Sequence, residues 1–183
     1  MFVWFTKVDA KRYRITIDRQ HGPPLLPRFA PGYDDLMPHD LAHYVVEEYF
    51  RIGLGVWGQL AAGGGGIFTP APEDRSLRYQ RRVERIGTVG RSDMARSEDL
   101  VVLTVDTWQR STGRINGQTR HVDHDLDEET LAGAVRRMGQ VSEQWRALAR
   151  GDSLSFTWPA ELTFNAATSA RGRRHRNSVS SRN

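Results

Sequence analysis

Over residues 13–18, Tyr13, Ile15 and Ile17 alternate with Arg14, Thr16 and Asp18. A period of two is the signature of a strand with one buried face, so the pattern predicts a strand over Tyr13–Arg19. Phe2–Val8 reads as its partner, because Asp9-Ala10-Lys11 is short enough to close a hairpin. Five prolines (Pro23, Pro24, Pro27, Pro31 and Pro38) then forbid helix over residues 22–38. That stretch is expected to cross the molecule in an extended form, with Leu25, Leu26 and Phe29 against the core. The period changes at Pro38. Leu41, Ala42, Val45, Val46, Tyr49 and Phe50 form one broad apolar side, predicting a helix from Pro38 to about Arg51. Proline suits the first helical position, and it pushes Met37 out of the helical region. Gly53 to Gly55 breaks this helix, and a short second one over Val56–Ala62 is stopped by the Gly63–Gly66 run.

Residues 73–99 are dense in charge and are expected to be partly irregular. Met94, Val101, Val105 and Trp108 share a helical face, which predicts a helix from about Ser92 to Arg110, followed by a polar loop over 111–126. A long helix is expected over about Asp127–Arg150. It has acids in its first turn, Gly151 past its end, and Leu131, Val135, Met138, Trp145 and Leu148 as core positions. Leu154, Phe156 and Trp158 alternate with Ser155 and Thr157 as a closing strand stopped by Pro159. The simplest packing is an α+β fold. A small antiparallel sheet, made of the N-terminal hairpin plus the C-terminal strand, packs against three to four helices on one face. A single domain is expected over residues 1–164, with residues 165–183 a disordered basic tail.

Composition changes this picture only slightly. The net charge of +4 comes from five arginines after Glu161, so the residues before them are close to neutral and not a polycation. With no cysteine there is no disulfide framework, thiolate metal site or cysteine nucleophile. No apolar run approaches the roughly 20 residues of a membrane-spanning helix. Residues 1–7 also lack the order of a signal peptide, so a cytoplasmic address is expected.

The candidate chemistry lies at the start of the first helix, in Met37-Pro38-His39-Asp40-Leu41-Ala42-His43. His39 and His43, four apart, stand on one helical face with Cβ atoms ~5–6 Å apart. Two imidazoles so spaced can close on one ion, as in the H-E-x-x-H zinc helix. Zinc or iron is the expected metal. Asp40 and Glu47 are candidates for a third ligand or for a base acting on bound water. Glu47 shares the stripe but lies roughly 12 Å along the axis from His39. Further ligands could come from His121, Asp123 and His124 in the loop ending at Asp125. The positive end of the helix dipole favours a neutral His39 and an ionised Asp40. The competing expectation is structural: Asp40 is an ordinary first-turn acid, and His43 a hydrogen-bonded core histidine.

The stretch Pro38-His39-Asp40-Leu41-Ala42-His43-Tyr44-Val45-Val46-Glu47 resembles a motif of uncharacterised bacterial proteins. These also carry a Phe-Thr-Lys strand, as at Phe5-Thr6-Lys7, and a closing Trp-containing strand, as at Trp158. The likeness implies no activity. Locally the helix is similar to the zinc motif of the coenzyme Q biosynthesis family, H-D-x-x-H followed after eleven residues by Glu. That resemblance implies His39, Asp40 and His43 as metal ligands. Where the pattern has Glu this chain has Gly55, and nearby Gln59 stands in a similar context.

Two alternatives compete with a metal-binding protein, and the sequence leaves open whether the site is catalytic. One is a protein-binding module using an exposed Trp57 beside the Gly63–Gly66 hinge. The other is a nucleic-acid accessory gripping phosphates through the arginines between Arg75 and Arg96 and those of the tail. No aromatic interleaving supports specific readout of bases. Gly53-Leu54-Gly55-Val56-Trp57-Gly58 matches G-x-G-x-x-G, but it follows a helix where a dinucleotide fingerprint follows a strand.

Overall fold

A computed structural model describes residues 1–31, 35–114 and 124–164. The tail assigned to 165–183 and His121 and Asp123 of the candidate loop lie outside the described residues. Strands β1 (Phe2–Asp9) and β2 (Arg12–Asp18) form the expected hairpin, and β4 (Ser153–Thr157) pairs antiparallel with the other edge of β1. The proline-rich crossing contributes one strand that its composition hid: β3 (Arg28–Pro31) pairs with β2 from Arg12↔Pro31 to Ile15↔Arg28. Proline is tolerated there because β3 is an edge strand of the four-stranded order β3-β2-β1-β4.

Inward-facing Val3, Phe5, Tyr13, Ile15, Ile17 and Ala30 are buried, while Phe2 and Phe29 stay exposed. On this face lie α1 (His39–Tyr49) and α2 (Val56–Ala61). Tyr44 and Trp57 meet each other with ring centroids 5.4 Å apart, and Phe5 at 6.4 and 5.5 Å. Trp57 is 0% exposed and its Nε1–H donates to the Asp40 carbonyl at 3.2 Å, so it offers no surface to a partner. The expected hinge is likewise packed. Gly63, Gly64 and Gly65 are buried, and the Arg19 guanidinium donates to the Leu60 and Gly64 carbonyls.

The charged stretch expected to be irregular is helical: α3 (Leu77–Val89) leads through Gly90 into α4 (Arg91–Ser111). Ser76 caps α3 by accepting from the Tyr79 amide at 3.2 Å, a start signal present in the sequence. α3 buries only Ile86, yet its few apolar residues fall on one helical face, a pattern the surrounding arginines masked. α5 (Glu128–Ala147) buries Ala134, Met138, Val141, Ser142 and Trp145, a stripe turned slightly from the expected one; Val135 and Leu148 lie at its margin, and Leu131 is half-buried. Lys7 Nζ donates to the Leu148 carbonyl at 3.2 Å and lies 5.7 Å over the Trp145 ring, placing a cation at the negative end of α5. Both α4 and α5 pack on α1.

Candidate functional site

His39 and His43 do face one space. Their ring centroids are 4.7 Å apart and both line a cavity of about 660 Å³ bounded by α1, α2, α4, β2, β3 and residues 65–67. His39 is on the exposed rim, and His43 is buried at 3% exposure. The one-turn spacing fixes this juxtaposition, but the groups that make His43 chemically distinct come from α4. Ser97 Oγ donates to Glu47 Oε1 at 2.8 Å. With its proton committed, that hydroxyl accepts from His43 Nδ1–H at 3.1 Å. With Glu47 ionised this leaves the lone pair on Nε2, which stands 3.7 Å from Glu98 Oε2. Burial holds His43 below the ordinary histidine range against the pull of Glu98, which favours the neutral, electron-donating ring.

Glu47 has a different task from the one its place on the stripe suggests. Its Oε1 accepts from the Val56 amide at 2.7 Å and its Oε2 from the Trp57 amide at 2.8 Å, with the Gly58 amide as a third backbone donor. These are the free N–H groups at the start of α2, so the chain's own carboxylate fills the seat that a glycine-rich loop would offer a phosphate. The glycines of the G-x-G-x-x-G match are there for close approach. A Cβ at Gly55 would overlap the Glu47 carboxylate, and one at Gly58 would overlap the Gly53 carbonyl. Desolvation raises the Glu47 carboxyl to about 7 despite these donors.

Asp40 also lines the cavity, but its Oδ2 is held by Tyr13 Oη–H at 2.5 Å and Arg28 Nη1 at 2.8 Å. It fastens α1 to β2 and β3. His124 and Asp125 lie in irregular chain before α5, and neither lines the cavity. Among the described residues no group of three or more His, Asp or Glu side chains is placed so that it could hold a metal ion.

Ser97 and Glu98 were missed from sequence. They sit in mid-helix within a charged run, and only the packing of α4 on α1 brings them to His43. The cavity wall thus carries two imidazoles, His39 and His43, and two carboxylates, Glu98 and the already committed Asp40. No protein-family model matches this chain, and neither the curated proteins nor the solved structures contain a match to it.

Proposed function

We propose that this protein binds a divalent metal ion, zinc or iron(II), through His43 Nε2, His39 and Glu98, leaving a coordination position open toward the cavity. The observation that carries this is His43: a buried neutral imidazole with Nδ1–H tied back through Ser97 to Glu47 and its lone pair toward a carboxylate. Ligands of one tetrahedral zinc stand about 3.4 Å apart, and the 3.7 Å between His43 Nε2 and Glu98 Oε2 is close to that. The His39 ring, on the exposed rim, completes the set by turning about its side-chain torsions. An ion in this position would polarise an oxygen ligand or lower the pKa of bound water. Untagged protein loaded with zinc, or anaerobically with iron(II), should retain about one equivalent after gel filtration. His43→Ala should lose it, and Ser97→Ala should bind roughly 10–100-fold more weakly through loss of ring orientation. Wild-type protein retaining no more metal than folded His43→Ala would overturn the assignment.

A second function, contact with a nucleic-acid backbone, is favoured by α3. Arg78, Arg81 and Arg85 are exposed and Arg82 half-exposed, and none forms an ion pair among the described residues. Binding of duplex DNA or RNA through these groups would fall steeply with salt and weaken in an Arg78→Gln, Arg82→Gln variant; salt-indifferent binding excludes it.

A further inference from the structure

We propose that the ligand meeting this centre is an elongated, largely apolar molecule of the acyl-chain class, carrying a single oxygen-bearing head. The inference rests on the metal reading for the head and on the cavity alone for the body. The lining is graded along its length. On α4, Met94, Glu98, Val105 and Trp108 all face the cavity, spanning fourteen residues of helix or roughly 21 Å at ~1.5 Å per residue. Glu98 is the only charged group in that row, with Met94 on one side of it and Val105 and Trp108 on the other. Opposite stand buried Ala30, Met37 and Ala42.

The volume of about 660 Å³ lies in the range of pockets that enclose a whole small molecule. Apart from Gln59 on α2, whose amide is tied to the Leu54 carbonyl at 3.0 Å, the polar groups of the lining are gathered around the start of α1, which is where the head belongs. Arg28, the one cation there, is already matched by Asp40 at 2.8 Å, so an anionic head finds no spare guanidinium and must be held at the histidine centre. Two methionines in the lining give the apolar part adaptable walls, suited to a flexible chain more than to a rigid ring system.

The probes are octanohydroxamate and acetohydroxamate, which share a metal-chelating oxygen head and differ in the tail. Titrated calorimetrically into the zinc-loaded full chain, octanohydroxamate should bind at least tenfold more tightly. Val105→Trp fills the apolar half and should erase that advantage while leaving zinc content and acetohydroxamate affinity unchanged. Met94→Trp, at a half-buried rim position, is the second variant should the first fail to fold. Equal affinity of the two probes for zinc-loaded wild type overturns the apolar-body proposal and leaves the metal reading standing. Failure of the wild type to take up metal overturns that reading. The body is then judged separately by decanol displacing the dye 1-anilinonaphthalene-8-sulfonate from wild type but not from Val105→Trp; no displacement overturns the cavity proposal as well.

Discussion

A carboxylate with no exposed surface must be met by donors on every side, and Glu47 is met by the Val56 and Trp57 amides and the Ser97 hydroxyl. Burial still raises its pKa from 4.5 to about 7. A group whose pKa is higher in the folded state binds its proton more tightly there. Its stabilising contribution is therefore complete below pH 4.5 and is lost as pH rises through about 7. Metal-free wild type should lose about 3 kcal/mol relative to Glu47→Gln over that window in urea melts, because glutamine does not titrate. The variant's amide cannot accept from all the backbone donors, which adds an offset of ~1–3 kcal/mol, so the variant should be the less stable of the two below pH 4.5 and lose that disadvantage above about 7. A stability difference independent of pH would show that the hydrogen bonds, not desolvation, govern this carboxyl. At this scale the sequence was informative where spacing alone decides, as for His39 facing His43. It was silent where a partner comes from another helix, as Ser97 and Glu98 do. Glu47 was visible as a stripe residue, but its task depends on a turn that brings residues 56–58 back over it.

Helix ends carry the next level of specificity. α1 closes with the Ile52 amide on the Glu47 carbonyl at 2.9 Å and the Arg51 amide on the Glu48 carbonyl at 3.3 Å. This pattern places Arg51 at φ 56°, where glycine is the usual occupant. Arg51→Gly should raise stability by about 1 kcal/mol, the left-handed penalty less the added freedom of the unfolded chain. The exposed Arg51–Glu161 pair at 3.6 Å is worth little and does not reverse the sign. The corner that follows is unforgiving in the opposite sense. Gly58→Ala should cost about 3 kcal/mol or more in thermal or urea melts, since the new methyl would strike the Gly53 backbone. Elements with a strong period, β1, β2, α1, α4 and α5, were legible in the sequence. β3 was hidden because Pro31 argues against a strand only where that strand is interior, and α3 because its density of arginine masked a one-sided apolar spacing.

Across the whole molecule, α1 is the element around which the rest is arranged: Tyr44 faces the sheet aromatics, His43 the cavity, and α4 and α5 pack alongside. A ligand held between α1 and α4 should therefore stabilise the whole unit. Zinc at a free concentration a hundredfold above its dissociation constant should add about 2.7 kcal/mol and raise Tm by roughly 5–10 °C in the wild type. In His43→Ala there should be no shift. The sheet carries a consequence of another kind. β1 lies between β2 and β4, and its register with β4 runs from Phe2↔Thr157 to Thr6↔Ser153, joining the first strand to the last among the described residues. During synthesis, the N-terminal hairpin keeps one edge of β1 without its strand partner, its amides and carbonyls met only by water, until residue 157 has left the ribosome. Nascent chains arrested before that point present a sticky ribbon edge beside apolar Val3 and Phe5, and these are the species a chaperone would have to shield.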